Sequence, residues 1–451
     1  MTVGADTVRA EFASIVGESR VVSEASACAA YAVDGRVPRW VVYAPSAEQV
    51  AAVLHCAAEH DLAVIPCRNA TKLSIGNPPR RYDVALSLKE MTRVWHYEPA
   101  DLTLSVEPGM KLGDLQPFVG RQNLWLPLDP PGGSRASIGG ILAANASGPL
   151  RLFYGTPRDM ALGLKIATTE GKIIKSGGRV VKNVAGYDLM KLAIGSYGTL
   201  GVIVEASLKL FPLPVERATF VLPTGTLGIA RELRARIVHS PLQPMRLVLL
   251  DAAAAGLVRA GSSPTAPVKE PEVWIEVGGS RRVIERYARE FEELGRAAGA
   301  TVQRLETESA ELGWGRIADF RSWLAESHPN PVILKATLPL ASSEEFLSRA
   351  QQEAESEKLR LASFCQVGVG IVHLVFLEMP AAPAPVALLS RLRQAAVDLG
   401  GALGIERCPP EIKARVDAWG ATGDDLEVMR KLKSAWDPKG ILAPGRFVGS
   451  L

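Results

Sequence analysis

The segment CRNATKLSIGNPP, residues 67–79, has the outline of a phosphate-binding loop that lacks the usual glycines. It follows the apolar run AVIP, which predicts a short buried strand, and it ends in GNPP, a turn signal. Glycines in such loops supply positive φ angles and leave room for a phosphate. These residues alone leave open whether the loop holds a phosphate or has lost that ability.

Glycine clusters recur between residues 132 and 203, in GGSRASIGGILAANASGP, FYGTPRD, KSGGRVVKNVAGYDL and GSYGTLGVIV. A single cluster would indicate a turn. Four in succession around short strands predict a cradle whose backbone lies close to a flat or anionic molecule. The later segment GVGIVH has only two of the three glycines of a dinucleotide fingerprint, so NAD binding on a Rossmann fold is not expected.

The bulk properties exclude several classes of protein. The chain has 451 residues, enough for two or three domains, and its net charge of +3 is too small to predict nucleic-acid binding. It has no apolar run of the roughly 20 residues that a membrane helix needs, and its first residues predict no secretory signal. The cysteines are scattered without a CxxC pair, which predicts reduced thiols in a cytosolic protein and no iron–sulfur cluster or structural zinc.

The predicted elements change in character near residue 212. Before it, SAEQVAAVLHCAAEHDL reads as a helix with Ser46 as its N-cap, followed by short strands. After it, strands alternate with helices such as RRVIERYAREFEELGRAAG, whose Ile284, Tyr287, Phe291 and Leu294 form one apolar stripe. This order predicts an antiparallel sheet with helices packed on one face.

Two long motifs, SIGGILAANASG at 137–148 and SGGRVVKNVAGYDLMKLAIGSYGTLGVIV from residue 176, resemble the flavin-binding half of the vanillyl-alcohol oxidase superfamily. Within it, the sequence is most similar to the E subunits of bacterial glycolate oxidases. The likeness covers about residues 45–214 and resumes at CPPEIKARVDAWG and DPKGILAPGRFVG.

The resemblance implies an α+β fold, in which a PCMH-type FAD-binding domain of two α/β subdomains is joined to a cap domain that covers the flavin ring. The expected divisions are an N-terminal helical segment at 1–35, the FAD-binding domain at 36–214, the cap or substrate domain at 215–408, and a C-terminal arm at 409–451 that returns to the FAD-binding domain.

The cofactor that the resemblance implies is FAD. Its two phosphate charges suit a nest of backbone N–H groups, and Gly139-Gly140 would let the chain approach it. Cys67 adjoins the loop, but a buried thiol is expected there, so FAD is predicted to bind non-covalently. The cofactor-binding positions expected are Arg68, Asn69, Ala70, Thr71, Lys72, Pro127, Ser137, Ile138, Gly139, Gly140, Ala144, Asn145, Ser147, Gly148, Tyr154, Asp159, Lys182, Tyr187, Gly201 and Val202.

The loop departs from the family where Arg68 and Ala70 replace glycines. A Cβ in the left-handed region costs roughly 1 kcal/mol, and crowding of the pyrophosphate could cost more. Two interpretations follow. Arg68 pairs with a phosphate and compensates for the lost glycine, or the loop is impaired and FAD binds weakly or not at all. We expect binding to be retained, because the other cofactor segments are intact.

The family oxidises α-hydroxy acids by hydride transfer to the flavin, which requires a cation for the substrate carboxylate and a base for the hydroxyl proton. Lys335 on an apolar strand is the predicted cation, unless it points to solvent; Arg316 and Arg321 are weaker candidates. In CQVGVGIVHLVF only His373 remains of a histidine-rich metal motif, and the other histidines have no ligand spacing, so no catalytic metal is expected. His373 is either a hydrogen-bonded strand residue or the base.

The sequence therefore predicts the FAD-binding subunit of a glycolate-oxidase-like complex that oxidises glycolate or a related 2-hydroxy acid. The family pairs this subunit with a second flavoprotein subunit and an iron–sulfur subunit, so electrons would pass to these partners. The complex could hold a cytoplasmic chain at the inner face of the membrane. Two alternatives are a stand-alone FAD-dependent D-2-hydroxy acid dehydrogenase and a non-catalytic scaffold subunit.

Overall fold

The computed structural model describes residues 5–179, 187–260, 268–328, 330–381 and 384–451. These residues form two compact units. The first unit comprises Met1–Ala146, Thr156–Pro212 and Ala421–Leu451, and the second comprises Ser147–Gly155 and Leu213–Gly420. No helix among the described residues is both long and apolar enough to cross a membrane.

The helices and strands follow one another in a mixed order along the chain. Up to residue 212 they are α1 Ala5–Val16, β1 Val21–Val22, α2 Ala25–Ala29, β2 Trp40–Tyr43, α3 Ala47–Glu59, β3 Val64–Cys67, β4 Val84–Ser87, β5 Val94–Glu98, β6 Thr103–Val106, α4 Leu112–Gly120, β7 Leu124–Trp125, α5 Ile138–Ala143, α6 Arg151–Tyr154, α7 Pro157–Met160, β8 Ala161–Ala167, β9 Ile173–Gly177, α8 Leu189–Ala193, β10 Val202–Lys209 and β11 Phe211–Pro212. Beyond it they are β12 Glu216–Pro223, α9 Leu227–Val238, β13 Arg246–Leu250, α10 Ala252–Arg259, β14 Glu272–Gly279, α11 Arg281–Ala298, β15 Gln303–Arg304, α12 Thr307–Ala318, α13 Phe320–Ser327, β16 Val332–Thr337, α14 Ser343–Ser356, β17 Leu361–Gln366, β18 Ile371–Phe376, α15 Ala384–Asp398, β19 Ala402–Arg407, α16 Pro410–Lys413 and α17 Leu426–Trp436.

The first unit contains a four-stranded sheet in the order β1-β2-β4-β3 and a five-stranded sheet in the order β5-β6-β10-β8-β9. Strands β2, β4 and β3 run parallel and are almost wholly apolar, as expected for strands buried on both faces. Helix α3 begins at Ser46, whose Oγ accepts a hydrogen bond from the Gln49 N–H at 3.3 Å, which confirms the predicted N-cap. Leu54 of α3 and Phe12 of α1 are fully buried in the core beside these strands.

The C-terminal segment adds to the edge of the four-stranded sheet. Val64 N–H donates to Ile441 O at 2.8 Å, and Ala443 N–H donates to Val64 O at 2.9 Å, so the segment runs parallel to β3. The partly buried Lys433 Nζ donates to Thr199 O and Leu442 O, both at 2.8 Å, and pairs with Asp437 at 2.6 Å. One ammonium thus joins helix α17, the C-terminal segment and the turn that leads into β10.

The second unit is built on an eight-stranded antiparallel sheet in the order β15-β12-β14-β13-β17-β18-β16-β19. One face packs against α9, α11, α14 and α15 around a core that includes Phe291 and Phe346. On α11, Ile284 and Phe291 are buried, and Tyr287 and Leu294 pack against the same core, as the apolar stripe predicts. The α+β fold class is confirmed.

The expectation of helices on one face only is wrong for this sheet. Helices α10, α12 and α13 cover part of the opposite face, where Trp274, Trp314 and Phe364 form a second core. The physical reason lies in the strands. On β14, Val273 enters the first core and Trp274 enters the second, so the strand is apolar on both sides and needs cover on both.

Candidate functional site

A solvent-open groove of about 510 Å³ lies in the first unit, and its walls are mostly backbone and small side chains. Gly139 and Gly140 of α5 line one side, and Gly198 and Gly201, in the turn before β10, line another. Gly198 has a φ of +74°, and a Cβ there would lie 2.7 Å from Pro66 Cγ. Side chains at such positions would collide with the groove walls, which explains why the glycine clusters occur here.

A second cavity of about 590 Å³ continues this groove along residues 67–73. The two share seven lining residues: Pro66, Cys67, Arg68, Ser137, Gly140, Ala143 and Tyr197. The loop singled out in the sequence and the glycine-rich segments therefore line one continuous depression, which we call the glycine groove.

The backbone of the loop is arranged to hold an anion. Ala70 has a φ of +57°, so the alanine sits in the left-handed conformation that glycine would normally adopt. Within the described part of the chain, the N–H groups of Asn69, Ala70 and Thr71 donate to no protein acceptor. Successive N–H groups in such a turn form a nest that binds anions without importing cations.

The loop side chains brace it against its surroundings. Arg68 Nε donates to Gly109 O at 3.0 Å, and its guanidinium also bonds the Asn69 side chain. Asn69 Nδ2 donates to Arg135 O at 2.6 Å, and Lys72 Nζ donates to Pro131 O at 3.1 Å. Burial lowers the pKa of Arg68. Because the ordinary pKa of arginine is very high, the guanidinium nevertheless stays charged beside the groove.

The C-terminal segment supports the loop through Arg446, which the sequence interpretation did not select. Its buried guanidinium donates from one nitrogen to Leu73 O and Ile75 O, each at 2.6 Å. Asn77 N–H donates to Arg446 O at 3.0 Å. The only sequence signal for Arg446 was its place in the tail motif DPKGILAPGRFVG, because nothing local shows that this tail reaches residues 73–77.

The left-handed Ala70 yields a testable prediction. Replacing Ala70 with Gly removes the steric cost of a Cβ at positive φ, and we expect a gain of about 1 kcal/mol in the free energy of unfolding. FAD should bind at least as tightly as to the wild type. Urea unfolding and flavin titration measure the two effects. Lys358→Gly, an exposed left-handed position in the second unit (φ +56°), is the matched control and should gain stability without any change in flavin affinity. Weaker FAD binding by Ala70→Gly would contradict this account of the loop.

The remaining cofactor positions predicted from the sequence lie in several places. Ser137, Gly139, Gly140, Gly201 and Val202 line the first cavity, and Ala144 lines the second. Pro127 and Ile138 are buried but line neither cavity, Tyr187 is 92% exposed, and Lys182 lies outside the described residues. Ser147, Gly148 and Tyr154 belong to the second unit.

Asn145 and Asp159 make local contacts in the first unit. Asp159 caps α7 by accepting hydrogen bonds from the N–H and hydroxyl of Thr156, at 2.8 and 2.7 Å. Asn145 Oδ1 accepts from Arg158 N–H at 3.3 Å. The groove also uses residues that the sequence interpretation missed, among them Pro108, Ala143 and Tyr197. They are missed because a proline, an alanine or a tyrosine carries no signature of its own.

The residues of the glycine groove fit the FAD that the resemblance implies. The nest at Asn69–Thr71 offers N–H groups without protein acceptors, and the Arg68 guanidinium adds a positive charge. The N–H of Gly139, however, donates to Pro108 O at 2.8 Å, so this glycine provides space rather than a hydrogen bond. The groove is therefore open and side-chain-poor, and the 69–71 turn supplies it with N–H donors that have no protein acceptor among the described residues.

The second unit carries a separate group of charged residues on its sheet, on the face that bears α10, α12 and α13. Lys335 on β16 lies directly opposite His373 on β18, and both alternate with residues of the first core, so they share the face of the second core with Ile333 and Val375. Glu406 is the extra residue of a β-bulge on β19, where Arg407 pairs with Ile333 and Ile405 pairs with Leu334. Bulges re-aim side chains near functional sites. Arg321 Nε of α13 lies 3.5 Å from Glu406 Oε2, and His373 Nδ1 lies 3.7 Å from the same oxygen.

We call Lys335, His373, Glu406, Arg321 and Arg151 the polar cluster. Burial lowers the pKa of Lys335, and the Glu406 carboxylate opposes that shift. Burial also lowers the pKa of His373 to about 4. The negative charge of Glu406 opposes this shift, and the positive charges of Lys335, Arg321 and Arg151 increase it. His373 is therefore a neutral imidazole at pH 7, and within the described part of the chain its buried Nδ1 has no hydrogen-bond partner. A neutral imidazole nitrogen of this kind is able to accept a proton.

The depressed pKa of His373 predicts how stability depends on pH. The unfolded chain takes up a proton near pH 6.5, whereas the folded chain does so only near pH 4, so stability falls as pH is lowered through this window. Between pH 7 and pH 5 this residue should remove about 2 kcal/mol. In urea unfolding, the free energy of unfolding should fall by about 2 kcal/mol less in the His373→Gln variant than in the wild type when the pH is lowered from 7 to 5. The exposed His239→Gln control should behave as the wild type, and equal losses in all three proteins would contradict the prediction.

Of the other predicted cations, Arg316 NH1 donates to Leu257 O at 2.9 Å and its guanidinium lies over the Trp323 ring, so it ties α12 to α10 and α13. Glu406 and Arg151 are members of the polar cluster that sequence analysis did not identify. Glu406 ends the predicted strand ALGIER and Arg151 lies in a glycine-rich segment, and only strand pairing and packing bring them to His373.

Two family models together match most of the chain. Residues 38–177 match the FAD binding domain, and residues 213–447 match the C-terminal domain of FAD linked oxidases. Glycolate oxidase subunit GlcD of Bacillus subtilis is 27% identical over 91% of this chain and 89% of its own length. D-lactate dehydrogenase of Archaeoglobus fulgidus is 30% identical over 91% of this chain and 92% of its own length.

Solved structures have the same fold. An alkyldihydroxyacetonephosphate synthase superposes with a TM-score of 0.76 and 16% identity, covering 99% of this chain and 86% of that protein. p-Cresol methylhydroxylase superposes with a TM-score of 0.71 and 17% identity, covering 98% of this chain and 96% of that protein. With an FAD-binding domain followed by a FAD-linked oxidase C-terminal domain, on the PCMH-type fold, this chain belongs to the family of FAD-linked oxidoreductases.

Proposed function

We propose that the chain is the FAD-binding subunit of a glycolate-oxidase-like complex and oxidises glycolate or a related 2-hydroxy acid. The observation that carries this proposal is the polar cluster, in which a partly buried cation and a neutral buried imidazole lie side by side on the sheet of the second unit. A 2-hydroxy acid offers a carboxylate and a hydroxyl group on adjacent carbons. The cluster supplies a partner for each.

The roles follow from charge and burial. Lys335 holds the substrate carboxylate by a charge-assisted hydrogen bond. His373 accepts the hydroxyl proton at Nδ1, and the nearby Glu406 carboxylate stabilises the imidazolium that forms. The Phe320 ring lies 5.0 Å from the imidazole and stacks on Phe364 at 4.6 Å, which keeps water from that side of the base. FAD in the glycine groove supplies the acceptor for the hydride.

The path of electrons beyond the flavin belongs to partner proteins. The described structure holds five free, buried cysteines, none of them in a cluster-binding pattern. An iron–sulfur centre would therefore belong to another subunit, together with a second flavoprotein subunit. The curated relative from Bacillus subtilis is itself named as a glycolate oxidase subunit, which supports a multi-subunit assembly. Such an assembly would hold the chain at the inner membrane face through its partners.

A second candidate is a stand-alone D-2-hydroxy acid dehydrogenase. Relatives named D-lactate dehydrogenase and D-2-hydroxyglutarate dehydrogenase favour it. The resemblance implies a histidine-rich metal motif in single-chain dehydrogenases of this kind, at the place of CQVGVGIVHLVF. Here Gln366 stands where a second histidine would be needed, which weighs against a metal-assisted version of that chemistry. A third candidate, a scaffold subunit with no chemistry of its own, would need the polar cluster to be dispensable.

The deciding experiment is an anaerobic visible spectrum of the purified chain before and after adding glycolate, D-lactate or D-2-hydroxyglutarate. A flavin spectrum that one substrate bleaches identifies the substrate class. Turnover by the isolated chain with an artificial electron acceptor would favour the stand-alone dehydrogenase. A bound flavin that bleaches only after the partner subunits are added would support the complex. A flavin that no substrate reduces, even in the assembled complex, would overturn both catalytic proposals.

A further inference from the structure

Away from both sites, three potential metal ligands meet where helix α1 packs on helix α3. Cys56 and His60 are four residues apart, so their side chains lie on the same face at the end of α3. Glu11 of α1 reaches the same point. His60 Nε2 lies 2.7 Å from Glu11 Oε2, and the Cys56 thiol donates to that oxygen at 3.5 Å. The three ligand atoms lie within 4.8 Å of one another.

We propose that Glu11, Cys56 and His60 form a zinc site that pins the N-terminal helix to the FAD-binding unit. Thiolate, imidazole and carboxylate are the ligand types that zinc prefers. With Zn–S near 2.3 Å and Zn–N or Zn–O near 2.0 Å, ligand atoms of a tetrahedral site lie roughly 3.3–3.6 Å apart. The observed spacing brackets these values, so small side-chain movements would admit the ion.

The charge balance also suits a divalent cation. A thiolate and a carboxylate neutralise Zn²⁺, and the imidazole binds it in the neutral form. On binding, the Zn–S bond replaces the thiol S–H bond, and the proton leaves to solvent. Burial is the main reason that the pKa of the Cys56 thiol is raised, and the carboxylates of Glu11 and Glu59 raise it further. The negative charge of Glu59 favours a cation here, and Lys439 Nζ, 3.5 Å from Glu59 Oε1, partly offsets it.

The exposure of the ligands is that of a site with one open position. Cys56 is buried, whereas the side chain of His60 is 17% exposed and that of Glu11 is 45% exposed. A zinc ion held by three protein ligands completes its tetrahedron with water on the exposed side. Searching the histidines alone misses this site, because only one of its ligands is a histidine.

The role that follows is structural. Helix α1 holds to the unit through Phe12 and Val8 in the core and through Gln49 Nε2, which donates to Ile15 O at 2.8 Å. A metal bridge between α1 and α3 would add a cross-link between segments that are far apart in sequence, and it would stabilise only the folded state.

The test uses the full-length flavoprotein after treatment with a chelator. Zinc is added back in competition with a chromophoric chelator, and Co²⁺ is added in parallel, with spectra recorded as differences so that the flavin absorption cancels. We expect one zinc per chain, a thiolate-to-cobalt charge-transfer band, and a rise of at least about 3 °C in the unfolding midpoint with zinc. Cys56→Ser, His60→Ala and the half-exposed Glu11→Gln should each bind zinc at least tenfold more weakly.

The matched control is His55→Ala, which removes an exposed histidine from the same helix and should bind zinc as the wild type does. Glu11→Gln keeps the shape of the hydrogen-bonded group and lies at the surface, so it reports on ligation even if Cys56→Ser folds poorly. The proposal would be overturned if the wild type took up no more zinc than Glu11→Gln and His60→Ala. It would also be overturned if cobalt bound without a thiolate-to-cobalt charge-transfer band.

Discussion

Replacing Gly140 with Val is expected to weaken FAD binding by about 100-fold. Expressed as a free energy, this loss lies near the upper end of the roughly 1–3 kcal/mol that overpacking costs. Gly140 lines both cavities of the glycine groove. A Cβ there would meet only Ser137 Oγ, at 3.2 Å, so the rest of a larger side chain would extend into open space rather than into the protein. That space is the groove, and the added methyl groups would take the volume that the cofactor needs.

The measurement is the ratio of bound flavin to protein after gel filtration, followed by a fluorescence titration of the flavin-free protein. Gly315→Val is the matched control. It places the same β-branched side chain at an exposed glycine of helix α12, where a Cβ would have no neighbour within 4 Å. Because valine has a somewhat higher helix propensity than glycine, this control should gain a little helix stability and keep its FAD. If Gly140→Val bound FAD like the wild type, the groove would not be the cofactor site.

Replacing Lys335 with Met should lower kcat/KM for the preferred 2-hydroxy acid by about 100- to 1000-fold, while the flavin content stays unchanged. Methionine keeps the length and apolar stem of the side chain, so the partly buried position remains filled. What is lost is the charge that binds the carboxylate, in a region where burial already strengthens electrostatic interactions. A loss that falls mainly on KM would indicate that the lysine binds the substrate equally in the ground state and the transition state.

The assay is steady-state turnover in the assembled complex with an artificial electron acceptor. Lys269→Met, an exposed lysine in the same unit, serves as the control and should keep wild-type kinetics. Unfolding in urea at pH 7 shows whether either variant is damaged. Full activity of Lys335→Met in a complex with its full complement of FAD would exclude the proposed carboxylate partner and would favour the scaffold interpretation.

Local sequence patterns were sufficient for features that depend on neighbouring residues. The stripe on α11 repeats at helical spacing, and Ser46 lies immediately before an apolar helical run, so both could be read directly from the chain. The glycine clusters indicated a groove because side chains are repeatedly missing around short strands, which leaves the backbone open to a bound molecule. Long family motifs then supplied the identity of the cofactor, which composition alone could not have given.

Features that depend on distant residues could not be predicted in this way. The second helical layer was missed although β14 and β18 carry near-continuous apolar runs, a pattern typical of two-sided burial. Glu406 reaches His373 only because a bulge on β19 turns its side chain at that point. Arg446 reaches the loop at residues 73–75 because the tail pairs with the edge of β3 through a single β-bridge. Each of these depends on which strands pair, and that pairing is not written in any short stretch of sequence.

The place of Lys433 near the end of the chain determines when, relative to synthesis, the holoprotein can form. The Lys433 ammonium fixes the Thr199 carbonyl, next to the groove-lining Gly198, to residues that the ribosome adds only after the whole second unit has been synthesised. The glycine-rich segments of the nascent chain are therefore synthesised long before Lys433 is present to hold them in place. Cofactor loading should accordingly be a post-translational event, and shortened chains that end before this lysine should accumulate as colourless apoprotein however much riboflavin the cells receive.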